Sequence, residues 1–276
     1  MNYRKRLMVK PGSRVKLERF DPRFSDIAES RGEIETLTEQ NRERIGEMQM
    51  RLYAERRHSV LIVLQGQDAA GKDGIVKHTL SAVNPLSCNA FAFKVPTAEE
   101  AAHDFLWRHH KAAPARGWMT IFNRSHYEAV LVERVHKLVP KKVWSKRYEE
   151  INAFERLLHR NGTTVIKMFL HMSKDEQLQR FKDRIDDRAK RWKISEADYE
   201  ERKFWDDYME AYEDALSKTS SKYAPWYVVP SDHKHIRNLV ASQIIADTLE
   251  ELKISRPKPS VDLAEIRKKY HEAQES

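Results

Sequence analysis

Apolar positions along this chain recur in two rhythms. Ile34, Leu37, Ile45, Met48 and Leu52 return at helical spacing and predict an amphipathic helix from Glu33 to His58. An unbroken apolar run, Val60 to Leu64, then predicts a strand buried on both faces. After it, Ile75, Val76 and Leu80 resume the helical period. A second strand is expected at Ala90–Val95. A capping box at Thr97-Ala98-Glu99-Glu100 opens a helix through Trp107. A third strand at Trp118–Phe122 leads into a helix holding Val130, Leu131, Val135 and Leu138, which Pro140 stops. Further helices are expected at Trp144–His159 and after the box Ser173-Lys174-Asp175-Glu176, and one from Ser195 to Leu216. Strands fall at Thr164–Leu170 and Trp226–Val229. Asp232 caps a helix through Leu252, and Asp262–Gln274 forms the last.

Strands alternating with helices imply an α/β fold with a parallel sheet of about five strands and helices on both faces, a three-layer arrangement. The binding crevice then lies at the carboxyl ends of the strands, where Asp68, Asn123 and His171 share one edge. We expect a basic irregular arm over residues 1–31, lying on the body or on a neighbouring subunit. A main domain follows over 32–255 and a tail helix over 256–276.

The turn after the first strand carries the chemistry. Gly66-Gln67-Asp68-Ala69-Ala70-Gly71-Lys72 matches G-x-x-x-x-G-K in its proper strand–turn–helix context, with Asp73 and Gly74 following. Its backbone N–H groups, the helix N-terminus and Lys72 together make a socket for a phosphate chain. Two acids are unusual there. Asp73 stands where a Ser or Thr hydroxyl normally meets Mg²⁺, and Asp68 lies inside the loop, where phosphate oxygens would repel it. A cation between carboxylate and phosphate resolves that conflict. Asp68 is thus read as a metal ligand or as the group that orients the attacking phosphate, against the plainer role of capping the turn. At the end of the third strand, Asn123 and Arg124 are placed to grip phosphate, and Glu128 to hold Mg²⁺ directly or through water. The plain alternatives are a structural ion pair for Arg124 and a first-turn helix acid for Glu128.

Composition narrows the classes. The chain has 276 residues, 33% charged and 40% hydrophobic, and a net charge of +8. Residues 1–19 hold seven basic side chains and one acid, so the remaining body is nearly neutral, which argues against a nucleic-acid platform. Basic residues do cluster at Arg134–Arg147 and at Arg180–Lys193. Arg180, Arg184 and Arg188 recur every fourth residue, as arginines would on a helical cover closing over transferring phosphates, with Lys193 close by; Asp183 and Asp187 are the local counter-charges. Trp192 is as readily core as contact. The lone Cys88 excludes an internal disulfide and fits a reducing compartment. No apolar run would span a bilayer, the basic N-terminus lacks a secretory core, and the expected location is the cytoplasm. The histidines show no zinc-binding spacing.

Four stretches in order, GQDAAGKDG at 66–74, FKVPTAEEAAHDFLWR at 93–108, IFNRSHYEAVLVERVHKLVP at 121–140 and TSSKYAPWYVVPSDHK at 219–234, resemble the type 2 polyphosphate kinase family. The likeness runs from about Glu33 to Leu252. It implies a P-loop kinase-like fold with a helical lid at about 180–210. It also implies Mg²⁺-dependent transfer of the terminal phosphoryl group between inorganic polyphosphate and a nucleotide, with Mn²⁺ as a substitute ion. By motif position, Asp68, Lys72, Arg124 and Arg184 correspond to residues the family uses for catalysis and phosphate binding. Glu128 joins them as a catalytic residue and, with Asp68, as a metal ligand. The phosphate and nucleotide contacts expected around them are Gly66, Gln67, Ala69, Ala70, Gly71, Asp73, Gly74, Asn123, Arg134, Arg180, Arg188 and Lys193.

The form Asn123-Arg124-Ser125-His126-Tyr127-Glu128 is similar to the class III subgroup, which phosphorylates nucleoside mono- and diphosphates. Ala129 departs from a position often acidic there, and His235 from an aromatic usually found after the last strand. Family precedent implies a homo-oligomer, dimer or tetramer. Two rival functions make distinct predictions. An ATP-dependent nucleoside or nucleotide kinase would use ATP rather than polyphosphate as donor. A polyanion or nucleic-acid binder would bind through the basic arm in a strongly salt-dependent way.

Overall fold

A computed structural model of the chain describes residues 3–25 and 30–275. Five parallel strands, β1 (Ser59–Gln65), β2 (Cys88–Ala92), β3 (Met119–Asn123), β4 (Thr163–His171) and β5 (Trp226–Pro230), form one sheet in the order β2-β3-β1-β4-β5. The strand after which the phosphate turn comes is the central one. Its pleat sends alternate side chains into two separate cores. Val60, Ile62 and Leu64 pack beneath the helices Arg31–Glu55 and Lys234–Glu251, with Ile45, Leu52, Leu239, Val240 and Ile244. Leu61 and Val63 pack on the other face, beside Phe169 of β4 and Trp226 of β5, against Tyr127, Ile151 and Tyr212 from the layer holding helices Arg147–Arg160 and Trp205–Thr219. Burial on both faces is what the unbroken apolar run required, and this is the P-loop kinase-like three-layer fold.

Several elements depart from the sequence reading. β2 begins two residues early and ends at Ala92, because it is an edge strand and its pairing stops where β3 stops, Ala92 opposite Asn123. The helix expected after β3 is instead a 3₁₀ turn, His126–Val130, and a short helix, Val132–Val135, divided at Leu131. The expected Ser195–Leu216 helix is two, Glu196–Arg202 and Trp205–Thr219. The chain bends between them, and Trp205 and Tyr208 are buried. Asp232 does not cap the helix that follows β5. Its carboxylate instead accepts from the backbone N–H and the hydroxyl of Ser173 at 2.8 and 2.7 Å, tying β5 to the helix Lys174–Asp186. The capping box at Ser173 is half made, since the Glu176 carboxylate pairs with Arg180 at 2.7 Å.

The N-terminal segment lies on the body. Tyr3, Leu7, Val9, Val15 and Leu17 are buried, Val9 N–H donates to the Trp226 carbonyl at 2.8 Å, and Met8 bridges to Tyr227. The helix Leu263–Glu275 follows an irregular stretch and exposes Leu263, Ile266 and Tyr270. Among the described residues no helix is long and apolar enough to cross a membrane.

Candidate active site

β1 delivers the chain into the phosphate turn at the carboxyl edge of the sheet. Gly71, at φ +106°, turns it into the helix Lys72–Thr79. Two non-glycine residues nearby also take left-handed backbone, Ala69 at φ +65° and Arg124 at φ +61°. Such residues cost about 1–3 kcal/mol each and persist where surrounding structure fixes them, typically at functional sites. Arg124 is fixed by its own N–H, which donates to the Leu64 carbonyl at 3.1 Å and continues the β1–β3 ladder. That turn lifts its side chain over the phosphate loop.

There Arg124 joins the two candidate acids. Its guanidinium donates to Asp68 Oδ1 at 2.5 Å and lies 3.7 Å from Glu128 Oε2. The structural ion pair is therefore present, and it holds the proposed groups together. Burial raises the Asp68 carboxyl, but Lys72, Arg124 and Arg184 outweigh it and hold the group below the usual aspartate range. Glu128 goes the other way: burial pushes it above the usual glutamate range, despite Arg124 and Lys72. Two carboxylates flanking one arginine thus differ in proton affinity because Asp68 meets three cations that outweigh its burial, whereas Glu128 is more deeply buried and also faces Asp68.

Lys72 is buried and curls back to its own loop, donating to the Gly66 and Gln67 carbonyls at 2.6 and 3.2 Å. Burial, then the charge of Arg124, pushes its ammonium down to about 8. Asp73 is held by Asn123 Nδ2 at 2.7 Å, linking the end of β3 to the start of the loop helix. Arg184 reaches the cavity wall, anchored by the Lys193 carbonyl at 2.9 Å and by Asp198 at 3.6 Å.

These residues line one cavity of about 1180 Å³. Asp68, Ala69, Gly71, Lys72, Asp73, Gly74, Asn123, Arg124, Glu128, Arg180, Arg184 and Lys193 all contribute to its wall. Gly66, Gln67 and Ala70 shape the turn from behind.

Three basic residues fall out of the expected pattern. Arg134 lies outside the cavity wall. It is committed to Glu210 at 2.6 Å and Asp214 at 2.7 Å and stacks over Trp144, so the structure gives no support to a phosphate contact there. Arg188 lies beyond the helix end at Asp186, is exposed and lies outside the cavity. Arg180 is a clamp and not part of a cover: nearly buried, it donates to the carbonyls of Ala69, Ala70, Ser231 and Asp232, pinning the phosphate turn to the end of β5. His171 stays at the strand edge but outside the cavity, and Trp192 is exposed.

Sequence reasoning missed part of the wall. Phe93, Phe105, Arg108 and His109 line it from the chain after β2, Val132 and Arg147 from the chain after β3, Lys77 from the loop helix, and Lys234, Arg237 and Asn238 from the chain after β5. His109 is pushed down to about 2, chiefly by burial, and is a neutral ring tilted against Phe93. The FKVPTAEEAAHDFLWR stretch was the available signal for Phe93, Phe105 and Arg108, the 121–140 stretch for Val132, and the basic run Arg134–Arg147 for Arg147. Arg237 had none, since it sits at an inward position of a helix that reads as core. Ala129 lines the cavity with its carbonyl tied to Arg147 at 2.8 Å, and His235 lies 5.9 Å from the His233 ring. Cys88 is free, with its thiol pushed up to about 11 by burial.

A family model described as Polyphosphate kinase 2 (PPK2) matches residues 28–257. The chain belongs to the polyphosphate kinase 2 family. It is 48% identical over 265 residues to an ADP-polyphosphate phosphotransferase of Rhodopseudomonas palustris, covering 92% of each chain. It is also 48% identical over 257 residues to an AMP/ADP-polyphosphate phosphotransferase of Meiothermus ruber, covering 92% of this chain and 96% of that one. The crystal structure of polyphosphate kinase 2 from Arthrobacter aurescens TC1 superposes with a TM-score of 0.95 at 40% identity, over 99% of this chain and 97% of that chain. As a polyphosphate kinase 2 family member the chain is a phosphotransferase. Its phosphate turn and the acid–arginine cluster beside it occupy the carboxyl edge of the sheet, where such folds bind ligands.

Proposed function

We propose that this chain moves the terminal phosphoryl group between inorganic polyphosphate and AMP or ADP, forming ADP or ATP, at the centre of the cavity just described. The observation that carries this reading is the convergence of Asp68, Lys72, Arg124, Glu128 and Arg184 on one wall of a cavity larger than a single ligand needs. Pockets for one small ligand span roughly 300–1,000 Å³; at about 1180 Å³ this cavity has room for a nucleotide and a segment of phosphate chain. Phosphoryl transfer asks a protein for positioning and charge, with little covalent work. Arg124 and Arg184 offset charge on the phosphoryl group in flight. Asp68, held ionised, orients the acceptor oxygen. Lys72 exchanges its loop carbonyls for phosphate oxygens, which favour its charged form.

Asp68 and Glu128 are the residues that would hold Mg²⁺, with Mn²⁺ as substitute. Both are hard oxygen donors on the cavity wall, and among the described residues no cluster of three or more ligands forms. That fits an ion that relies on one or two carboxylates and substrate phosphates. When bound, the ion supplies charge neutralisation between donor and acceptor phosphates. The names of the similar phosphotransferases from R. palustris and M. ruber support AMP and ADP as acceptors. The lone free cysteine supports a cytoplasmic setting. The exposed apolar residues Met50 and Tyr53 on the first long helix, and Leu263, Ile266 and Tyr270 on the last, support a homo-oligomer. Within the expected lid at about 180–210, the stretch that supplies Arg184 and Lys193 to the cavity is proposed as the cover, with Arg180 before it and Trp205 and Tyr208 after it held to the body.

Product analysis tests the reading: polyphosphate with AMP, then with ADP, in the presence of Mg²⁺, against ATP as donor in parallel. Nucleotide phosphorylated from polyphosphate is the expected result. Product only from ATP would replace the reading with an ATP-dependent kinase, and no product from either would sink both.

A further inference from the structure

The tail helix Leu263–Glu275 stands clear of the body that carries it. Residues 255–274 are all exposed, and the ion pairs of the helix are internal, Lys269 with Glu265 at 3.2 Å and Lys268 with Glu272 at 3.9 Å. It has 13 residues, and isolated helices below about 12–15 residues are marginal in water. Leu263, Ile266 and Tyr270 recur at three and four, so they form one apolar stripe, and all three are exposed. Whatever covers that stripe holds the helix. The A. aurescens crystal structure keeps its own tail in a similar place. The two chains superpose over 99% of this one at a TM-score of 0.95, and residues 253–276 are a larger share of the chain than that score leaves unmatched. A helix free in solvent would not keep its place from one relative to another.

The tail leaves the body beside a second bare surface. Ile254 is buried, and Arg256 lies 3.3 Å from Glu47 on the helix Arg31–Glu55. Glu43, Glu47 and Met50 follow one another at four and three on that helix and share a face, with Tyr53 next to it. Asn84 Nδ2 reaches Met50 Sδ at 3.6 Å, and Asn84 Oδ1 accepts from the Leu86 N–H at 2.9 Å, which brings Leu86 to the same edge. Met50, Tyr53 and Leu86 are all exposed. The charges match too. Arg267 lies on the tail stripe between Leu263 and Tyr270, and Glu43 lies on the face with Met50; among the described residues neither has an ion-pair partner.

We propose that the tail helix of one protomer covers the Met50, Tyr53 and Leu86 surface of a second copy of this chain, whose own tail covers the same surface in return. Such a two-fold exchange uses each contact twice and leaves neither bare surface over. The root of the tail and the bare surface share one helix, so a single axis passing beside that helix serves both contacts. A membrane is the poorer occupant. The tail helix sets Glu265, Glu272 and Glu275 against Arg267, Lys268 and Lys269, and so lacks the basic excess that favours an anionic lipid surface. This rests on the oligomeric reading above and adds to it the surfaces that meet.

Sedimentation velocity over a range of concentrations tests it, with the full-length wild type, Ile266→Asp and Met50→Asp. Wild type should sediment as a dimer or a multiple of one. Each substitution enters the interface twice, so each should raise the dissociation constant between protomers about a hundredfold or more. Both positions are exposed, so circular dichroism should stay as in wild type. Cross-linking then identifies the occupant. In a Cys88→Ser background, Tyr270→Cys chains mixed with Met50→Cys chains should be joined by a bismaleimide into pairs holding one of each. Wild-type association by both folded aspartate variants would overturn the inference and leave the oligomeric reading standing. So would a cross-link that forms only inside a chain carrying both cysteines, which would return the tail to its own body. A wild type that stays monomeric would overturn the oligomeric reading as well.

Discussion

Lys167 and Glu155 form a wholly buried ion pair, 2.6 Å from Nζ to Oε2, in the layer directly behind the turn that carries Glu128. Lys167 sits on β4 and also donates to Tyr127 Oη at 2.9 Å and to the Thr219 carbonyl at 2.7 Å, while Tyr127 donates to Glu155 Oε1 at 2.7 Å. Tyr127 immediately precedes Glu128, so this network fixes the 3₁₀ turn to the sheet from behind. Breaking one side of such a pair strands a buried charge and costs about 3–5 kcal/mol. Lys167→Met should show that loss in urea unfolding. The double variant with Glu155→Gln should lose less than the sum of the singles. A single-variant loss below about 1 kcal/mol would remove the network's claim to hold the turn.

Arg124 and Lys72 meet the phosphate loop from two sides, and each should matter to rate more than to folding. Alanine at either should lower kcat about 10²–10³-fold, the order for a lost transition-state charge contact. Steady-state assays with polyphosphate and AMP or ADP check it. Near-normal turnover by either folded variant would reject the assignment of that residue.

Lys72 should also write a pH signature. Its ammonium is pushed down to about 8 from an ordinary 10.5, so the free enzyme loses that charge as pH rises past about 8. Because kcat/KM reports the free enzyme, it should fall above that pH, and Lys72→Arg should shift the falling limb upward. Stability should move oppositely. Between about 8 and 10.5 the unfolded chain binds the proton that the folded chain has released, so the contribution of this site to stability rises with pH across that window. Thermal unfolding of wild type against Lys72→Met over the same range measures it: the stabilisation by methionine should shrink as pH rises.

Arg134 tests the correction to the sequence reading. With its charge committed to Glu210 and Asp214 outside the cavity, Arg134→Ala should leave KM for polyphosphate unchanged and lower the melting temperature slightly. A KM rise of about tenfold would restore it as a substrate contact.

The order of strands and helices, the phosphate turn and the acid–arginine–acid set Asp68, Arg124, Glu128 were legible in the sequence because each is written locally. An unbroken apolar run makes a two-sided strand, two glycines make the turn, and the chain re-enters the same sheet edge after β3. Which basic residues serve that edge was not local. Arg134, Arg180, Arg188 and Arg237 look alike in a sequence. Tertiary packing alone gave Arg134 to acids on a neighbouring helix, made Arg180 a clamp on backbone carbonyls and left Arg188 in solvent. It left Arg237 buried without a carboxylate beside the phosphate turn. A long flexible cation goes where carboxylates and carbonyls distant in the chain happen to converge, and no spacing in the chain records where they meet.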